Sequence, residues 1–325
     1  MSEQQRANER GKPMIVTVTM NPSIDISYPL KTLKLDTVNR VPFVSKTAGG
    51  KGLNVTRVID QLGGDVLATG LLGGHHGAFI QNQLKTEGIN HQFAKIAGET
   101  RNSIAILHDD GHQTEILEAG PEVSILELAA FEKQLHLLLK EASLVTLSGS
   151  LATGIPVDYY QRLLSIANQY GVKTLLDTSG KSLKASLENT EKPYLIKPNT
   201  EEIADLMGQE LVIEDLEQVK LLLSDDIFTG VEWIVITLGA KGAIVKQGTD
   251  FYRVEIPEIA VVNPVGSGDA TIAGLAFALD SDLSVEEIVK YGMVTGMLNA
   301  MERKTGHINP DKLDKLKEKI VVTKI

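Results

Sequence analysis

The sequence predicts an α/β fold in which a doubly wound, mostly parallel sheet is flanked by helices and accompanied by a small β-sheet lid. From about Ser143 onward, short β-branched runs alternate with amphipathic helical patterns, which is typical of βαβ units. These strand patterns are apolar on both faces, as expected for strands that helices cover on each side. Two earlier segments are strand-like without a helix, and they are the candidates for the lid.

The composition of the chain limits its partners and its chemistry. Its 325 residues suffice for one large domain, or for one large and one small domain. A formal net charge of −10 disfavours nucleic acid and anionic membranes as partners. The absence of cysteine excludes disulfides, a thiolate nucleophile and a Cys-ligated metal. Because no apolar run reaches the ~18 residues of a membrane span, we expect a cytoplasmic protein.

The elements of the domain can be predicted in order along the chain. Residues 1–13 are polar and aperiodic, so we expect a disordered tail or a leftover of expression, followed by one domain over residues 14–325. An early helix is marked by the apolar residues Val55, Val58, Ile59 and Leu62. Pro156 suits the first turn of a later helix. Later strands are predicted at Ser143–Leu147, Val172–Asp177, Tyr194–Lys197 and Trp233–Thr237.

The loops that follow these strands are where we expect the chemistry. The strands Tyr194–Lys197 and Trp233–Thr237 each run into polar or glycine residues. Open α/β sheets bind their ligands in the crevice outside the carboxyl ends of the strands. The sequence therefore predicts a ligand site at that edge of the sheet.

The lid is predicted from two segments, about 26–44 and 101–119. The second contains a hairpin in which Asn102–His108 and Gln113–Ala119 flank the turn Asp109-Asp110-Gly111. A small sheet inserted in this way could cover a ligand and exclude water. The alternative is that both segments are edge strands of the main sheet.

The run Asn263-Pro264-Val265-Gly266-Ser267-Gly268-Asp269-Ala270 carries the most chemical information. It opens a helix, Thr271–Leu279, that is apolar on nearly every face and must be buried. The glycines let backbone N–H groups face an anion at the helix N-terminus. Asp269 could then take the proton of an attacking hydroxyl while those N–H groups stabilise the transferred charge. The alternative is that Asp269 is an ordinary helix cap.

A second glycine turn, Gly49-Gly50-Lys51-Gly52-Leu53-Asn54, also opens a helix. Its spacing does not match a Walker A loop. The glycines permit the close approach of a polar ligand, Asn54 can bond to sugar hydroxyls and Lys51 can meet a phosphate. The alternative is a helix cap with a solvated Lys51. No GxGxxG fingerprint follows the first strand, which disfavours a nicotinamide enzyme of the usual type.

Five motifs in this order resemble those of the ribokinase-like, PfkB-type carbohydrate kinases. They are Asn21-Pro-Ser-Ile-Asp25, Gly49-Gly-Lys-Gly-Leu-Asn54, Lys197-Pro-Asn-Thr-Glu-Glu202, Thr237-Leu-Gly-Ala-Lys-Gly242 and Gly266-Ser-Gly-Asp269. Each is weak alone, but five in order over residues 14–325 are specific. The resemblance implies a ribokinase-like fold and an ATP-dependent sugar-phosphate kinase.

The resemblance also implies roles for residues on the sugar side. It makes Asp269 the catalytic base and gives its anion hole as Gly266, Ser267 and Gly268. It gives the substrate-binding residues as Asp25, Gly49, Gly50, Lys51, Asn54 and Arg101. Among these, Lys51 and Arg101 suit the phosphate already on the sugar, because an arginine fork binds phosphate through two bonds. The alternative for Arg101 is a solvated surface cation.

On the nucleotide side, Asn199 and Glu202 match the family element that organises Mg²⁺ and its waters. Their spacing also matches a helix capping box, and both interpretations can hold. The nucleotide-binding residues implied are Lys197, Asn199, Thr237, Gly239, Gly242 and Asn299. The cofactors implied are ATP and Mg²⁺, with a monovalent cation as a further candidate.

Within the family, the opening motif, Gly98-Glu-Thr-Arg-Asn-Ser and Gly296-Met-Leu-Asn-Ala favour a kinase of D-tagatose 6-phosphate in lactose and galactose catabolism. The product would be D-tagatose 1,6-bisphosphate. The alternatives are a kinase of fructose 1-phosphate, a catalytically silent sugar-phosphate sensor, and a nucleoside or vitamin kinase. We expect no nucleic acid or membrane partner, and a homodimer formed through the lid.

Overall fold

The computed structural model describes residues 14–109 and 112–325, whose strands form two separate sheets. The strands are β1 (Met14–Thr19), β2 (Ser23–Pro29), β3 (Ser45–Gly49), β4 (Val66–Gly73), β5 (Asn90–Ile96), β6 (Arg101–His108), β7 (His112–Leu117), β8 (Ala142–Ser148), β9 (Lys173–Asp177), β10 (Leu195–Ile196), β11 (Trp233–Thr237), β12 (Ala243–Gln247), β13 (Asp250–Glu255) and β14 (Val321–Lys324).

The α-helices lie mainly between the strands of the large sheet. They are α1 (Lys51–Gln61), α2 (Gly74–Glu87), α3 (Ile125–Leu138), α4 (Tyr159–Asn168), α5 (Gly180–Glu188), α6 (Thr200–Met207), α7 (Leu216–Leu222), α8 (Ser267–Asp280), α9 (Val285–Ala300) and α10 (Leu313–Lys317). In the part of the chain that the structure describes, none of the helices combines the length and the apolar character needed to cross a bilayer.

The large sheet has ten strands in the order β14-β13-β12-β11-β10-β9-β8-β1-β4-β5. Strands β11 to β5 in this order pair in parallel, and β12, β13 and β14 form an antiparallel edge. This confirms the predicted doubly wound, mostly parallel sheet. The parallel strands all end at the same edge, so the loops after them meet there.

Helices cover the large sheet on both faces, and neighbouring strand residues enter different cores. Ile15 packs in one core with residues of α1, α8 and α9. Val16, which points to the opposite face, packs in the other core with residues of α3, α4 and α5. Because both faces are buried, the strands read as continuous apolar runs, as the sequence indicated.

The second sheet has four strands in the order β3-β2-β6-β7. It is separate from the large sheet, so the interpretation of these segments as edge strands of the main sheet is wrong. Strands β6 and β7 pair as the predicted antiparallel hairpin. The predicted turn residues Asp110 and Gly111 lie outside the described residues, as does the predicted tail 1–13.

Several predicted boundaries differ from the structure. Residues 30–44 are turns and loop rather than strand, since β2 ends at Pro29 and Asp36 has a φ of 56°. Pro156 lies before α4 in a turn that the N–H of Tyr159 closes by donating to the carbonyl of Pro156, so it is not in the first turn of the helix. Strand β10 has only two residues, which leaves Tyr194 and Lys197 outside it.

Candidate active site

A cavity of about 1090 Å³ lies at the carboxyl edge of the large sheet, between that edge and the lid. The strand ends supply Thr19, Ser148, Asp177, Lys197 and Thr237. The lid contributes Ser23, Asp25, Arg101, Ser103, Glu115 and Leu117. The remaining walls include the N-termini of α1, α6 and α8. The cavity is therefore where the topology of an open α/β sheet predicts a ligand.

Most of the predicted site residues line this cavity. They are Asp25, Gly50, Lys51, Asn54, Arg101, Lys197, Asn199, Glu202, Thr237, Gly239, Gly266, Gly268 and Asp269. Ser267 and Gly242 instead line a second, adjoining cavity. Gly49 lies beside Asp25, where a side chain would clash with the Asp25 carboxylate. The structure thus gathers residues that are far apart in sequence.

The N-terminus of α8 positions Asp269. Gly266 caps this helix in the left-handed region at φ 80°, and a side chain there would also clash with Thr305. Asp269 is the third residue of the helix and makes no capping bond, so the interpretation of Asp269 as an ordinary cap is wrong. It is 6% exposed, and its Oδ2 accepts a bond of 2.9 Å from Nδ2 of Asn54. Asp269 is a buried carboxylate aimed at the cavity.

The backbone around Gly266 only partly matches the predicted anion hole. The N–H of Ser267 donates to the carbonyl of Pro264 at 3.2 Å, so it is already engaged. The N–H of Gly268 follows it in the first turn, where helix N–H groups have no acceptor within the helix. The ammonium group of Lys197 lies close to Gly268, 3.2 Å from where a Cβ would be. The geometry places an N–H donor and a cation together beside Asp269.

The buried environment tunes the acidity of Asp269. Burial raises its pKa to about 6, and Asp177 adds to this, while Lys51, Asn54 and Lys197 oppose it. A carboxylate with this pKa is ionised at neutral pH but can accept a proton readily. That is the property required of a general base.

Asp177, the last residue of β9, belongs to the site although the sequence interpretation did not select it. It is 2% exposed, and its carboxylate lies 3.4 Å from Nζ of Lys197 and 3.6 Å from Nζ of Lys51. Burial pushes its pKa up, but the two ammonium groups outweigh burial and hold the pKa below its usual value. A charged residue at the carboxyl end of a predicted parallel strand was the signal that could have found it.

Lys51 and Arg101, which were predicted to bind one phosphate, both line the cavity but have different charged neighbours. The carboxylates that raise the pKa of Lys51 are Asp177 first, then Asp269 and Glu202, which outweigh the effect of burial. These groups lie toward the large sheet, on the side of Lys197. Although the Lys51 side chain is 44% exposed, its ammonium is paired, so the interpretation as a merely solvated cation is wrong.

Arg101 lies at the lid, at the start of β6. Its Nε donates to the carbonyl of Asn21 at 3.2 Å, and its Nη1 donates to the carbonyl of Glu118 at 3.2 Å. It is half-buried and held in one orientation, which differs from a free surface cation. Arg101 has five N–H donors, so donors remain for a ligand.

Asp25 faces the same part of the cavity from β2. Its Oδ1 accepts a bond of 2.7 Å from Oγ of Ser23. Burial raises the pKa of Asp25, while Ser23, Arg57 and Arg101 oppose this. Together with Asn54, this carboxylate can bind sugar hydroxyls, since both groups accept hydrogen bonds and the amide also donates.

The second, adjoining cavity has a volume of about 450 Å³. It shares Thr237, Gly239 and Gly268 with the first cavity, so the two are connected. Its apolar walls include Ile256, Pro257, Ile259, Met293 and Met297. An apolar slot that opens beside an N–H-lined turn suits a flat base whose phosphates extend into the larger cavity.

Asn199 and Glu202 form the capping box of α6. The N–H of Glu202 donates to Oδ1 of Asn199 at 2.8 Å, and the N–H of Asn199 donates to Oε2 of Glu202 at 2.9 Å. The other carboxylate oxygen of Glu202 is not used by this box. In residues 14–109 and 112–325, no three His, Cys, Asp or Glu side chains form a metal-binding group.

Asn299 does not occupy the predicted nucleotide position. Its side chain is fully buried, its Nδ2 donates to the carbonyl of Val265 at 2.9 Å, and its Oδ1 accepts from the N–H of Gly306 at 2.9 Å. It therefore fixes the turn before α8, and it lines neither of the two cavities. In the sequence, a short polar residue in an apolar helix looks the same whether it contacts a nucleotide or fixes a neighbouring turn.

Comparison with known proteins relates the whole chain to sugar kinases. The model of the pfkB family carbohydrate kinases matches residues 18–312. Tagatose-6-phosphate kinase of Staphylococcus epidermidis is 50% identical over 312 residues, which are 96% of this chain and 100% of that protein.

Two solved structures share the fold. Phosphofructokinase-2 from Escherichia coli in complex with potassium gives a TM-score of 0.86 at 25% identity, over 95% of this chain and 99% of that one. A structure from Thermotoga maritima, described as a possible 1-phosphofructokinase, gives a TM-score of 0.85 over 96% of this chain and 99% of that one. At 23% identity, this similarity shows that the two chains share a fold and nothing more.

Proposed function

The chain belongs to the pfkB family of carbohydrate kinases, and on that premise we propose that it phosphorylates D-tagatose 6-phosphate with ATP. The acceptor is the C1 hydroxyl, and the product is D-tagatose 1,6-bisphosphate. The observation that carries this proposal is the 50% identity to tagatose-6-phosphate kinase of Staphylococcus epidermidis over the full length of that protein. The arrangement of charges in the cavity supports the same reaction.

In this reaction Asp269 acts as the general base. Its buried carboxylate takes the proton of the C1 hydroxyl as that oxygen attacks the γ-phosphorus of ATP, and the bond to ADP breaks. The bond from Asn54 holds the carboxylate in place at 2.9 Å. The N–H of Gly268 at the helix N-terminus stabilises negative charge on the transferred group.

Lys51 and Lys197 carry the cationic part of the transfer step. Both ammonium groups lie within 3.6 Å of Asp177, which fixes them beside Asp269. We therefore assign Lys51 to the phosphoryl group in transfer rather than to the phosphate of the acceptor. Such fixed charges stabilise a transition state because they need no reorganisation during the reaction.

The acceptor binds on the lid side. Arg101 binds the 6-phosphate through its remaining N–H donors, and Asp25 and Asn54 bind the sugar hydroxyls. The adenine of ATP enters the apolar slot, with Thr237 and Gly239 along its phosphates. When bound, Mg²⁺ neutralises phosphate charge, and Asn199 and Glu202 would hold it through water. A monovalent cation is a further candidate cofactor, and the potassium complex of the Escherichia coli relative supports testing it.

A panel of acceptors tests the proposal. ADP formation is measured with ATP and Mg²⁺ against tagatose 6-phosphate, fructose 6-phosphate, fructose 1-phosphate, ribose and a nucleoside. We expect the highest kcat/KM with tagatose 6-phosphate. If fructose 1-phosphate is better by tenfold or more, the enzyme is a 1-phosphofructokinase. Turnover of ribose or the nucleoside alone points to the other kinase class, and binding without turnover to a silent sensor.

We further propose that two chains pair through their lids in the cytoplasm, where ATP and sugar phosphates are found. Strand β7 lies at one side of the four-stranded sheet and carries Ile116, which is 52% exposed and points away from the cavity-lining face of Leu117. Apolar side chains on such a strand favour an identical partner. Sedimentation velocity should show a dimer that Ile116→Lys weakens. A wild-type monomer at micromolar concentration would refute lid pairing.

A further inference from the structure

A buried guanidinium group lies behind the active site. Arg57, on α1, is 3% exposed. Its Nε donates to Oε2 of Glu87 at 3.0 Å, its Nη1 donates to Oδ1 of Asn54 at 3.3 Å, and its Nη2 donates to the carbonyl of Ala48. It does not line the large cavity. One side chain thus joins α1, the end of α2 and the lid strand β3.

The bond from Arg57 determines which way the amide of Asn54 points. Arginine can only donate, so it must face the Oδ1 atom of the amide. The NH₂ group then faces the other way, toward Asp269, and donates to its Oδ2 at 2.9 Å. Without Arg57, the amide could rotate and present its oxygen to the carboxylate, which would be repulsive.

The bond to Ala48 ties the same guanidinium to the lid. Ala48 is fully buried and pairs with Ile24 of β2. Its neighbour Gly49 lies against the carboxylate of Asp25, which faces the acceptor. Strand β3 borders the carboxylate of Asp25, and the amide of Asn54 holds Asp269. Both therefore depend on the guanidinium group of Arg57.

We propose that Arg57 is a positioning residue, which orients the amide of Asn54 against Asp269 and fixes lid strand β3 to the same helix. This inference rests on the proposed function, in which Asp269 is the base. Arg57 reaches no substrate, and it acts through the groups that do. Glu87 balances its charge from α2, and Asp25 faces it from β2.

The proposal has a consequence for pH dependence. The charged groups that face Asp269 are Lys51 from α1, Asp177 from β9 and Lys197 after β10. Donation from Asn54 lowers the pKa of Asp269, in opposition to burial. Loss of the orienting bond should therefore raise this pKa, so the acid limb of the activity profile moves to higher pH. A purely structural role would lower stability without moving that limb.

The test compares Arg57→Lys with Glu87→Gln. Lysine keeps the positive charge beside Glu87, but its single ammonium cannot span Asn54 and Ala48. We expect kcat to fall about 10- to 100-fold, the scale of a small misplacement of a reacting group. We also expect the acid limb to shift upward and the KM of the sugar phosphate to rise. Glu87→Gln removes the ion pair but leaves the bond to Asn54, so it should lower the melting temperature without shifting the acid limb.

A double-mutant cycle and a measurement on the unmodified protein complete the test. In an Asn54→Ala background, Arg57→Lys should cause no further shift of the acid limb, because the amide is gone. In ¹⁵N-labelled wild type, the side-chain amide signal of Asn54, identified by its loss in Asn54→Ala, should titrate with Asp269. This second readout applies even if Arg57→Lys does not fold.

The outcomes separate this inference from the proposed function. The role of Arg57 would be overturned if the acid limb of Arg57→Lys lay at the same pH as that of wild type. It would also be overturned if the amide signal of Asn54 did not titrate. Failure of wild type to phosphorylate any acceptor would overturn the proposed function, while the amide titration would still decide whether Asn54 donates to Asp269, on which the role of Arg57 depends.

Discussion

The carboxylate of Asp177 lies 3.4 Å from the ammonium group of Lys197, and the two side chains are 2% and 5% exposed. They come from neighbouring strand ends, because β9 and β10 pair in parallel. The same carboxylate lies 3.6 Å from Lys51, so one anion holds two cations beside the buried carboxylate of Asp269.

Asp177→Asn should lower both stability and turnover. It leaves Lys197 buried without an anion, and breaking such a pair from one side costs roughly 3–5 kcal/mol. Urea denaturation measures the loss. The matched control is Glu214→Gln, which breaks the exposed pair of Glu214 and Lys241 and should cost less than about 1 kcal/mol. If both variants lose the same free energy of unfolding, the buried cluster contributes no more to stability than an exposed ion pair does.

The pH dependence of kcat/KM should report Asp269. The active form is the carboxylate, so activity should fall as the pH drops through about 6, the pKa to which burial raises this group. The phosphate of the substrate ionises in a similar pH range, so the decisive comparison is between the acid limbs of wild type and variant. The charge of Asp177 adds to the raised pKa of Asp269. Asp177→Asn should therefore move the acid limb to lower pH, and an unchanged limb would count against Asp269 as the titrating group.

Asp269→Asn should lower kcat by roughly 10² or more, because the amide cannot accept a proton. Binding of ATP should be nearly unchanged. Asp280→Asn changes the exposed last residue of the same helix and provides the control, with activity close to wild type. If Asp269→Asn retains turnover within about threefold of wild type when chemistry limits the rate, Asp269 is not the base.

The same substitution should stabilise the protein at alkaline pH. The pKa of Asp269 in the folded state is about 6, above its usual value of 3.8, so the folded protein binds this proton more tightly than the unfolded chain. By linkage, its ionisation destabilises the fold above pH 6, and this effect disappears as the pH falls toward 3.8. Asp269→Asn should therefore exceed wild type in urea midpoint at pH 8, and the difference should shrink near pH 5. If the difference in urea midpoint were the same at pH 8 and pH 5, it would not come from the ionisation of Asp269.

Arg101→Ala should raise the KM of the sugar phosphate far more than the KM of ATP. Arg101 is held at the lid by the carbonyls of Asn21 and Glu118, away from the nucleotide slot. Lys51→Ala should instead lower kcat, since its ammonium lies beside Asp177 and Asp269. Steady-state kinetics with each substrate varied in turn distinguishes the two. A rise in the sugar-phosphate KM alone for Lys51→Ala would restore the sequence-based assignment.

The class of the fold could be predicted from the sequence alone, and most of the residues predicted for the site line one cavity in the structure. Alternating strand and helix patterns predicted the parallel sheet, because strands buried on both faces must be apolar throughout. The glycine turns around Gly50 and Gly266 marked two helix N-termini, since glycine allows the backbone conformations that each turn needs. The resemblance to the family then implied that Asp269 is the base, and the structure brings this residue together with Asn54, which is 215 residues away in the chain.

Which charged groups pair could be seen only in the folded structure. Asp177, Lys197 and Lys51 come from separate elements, and no spacing in the sequence shows that one carboxylate holds both ammonium groups. For the same reason the sequence placed Lys51 with Arg101, although their surroundings differ, and placed Asn299 at the nucleotide, although it is fully buried. Local patterns fix the backbone because they act between neighbours along the chain. The pairing and burial of charges depend on long-range packing, so they are decided only when the sheet and its helices assemble.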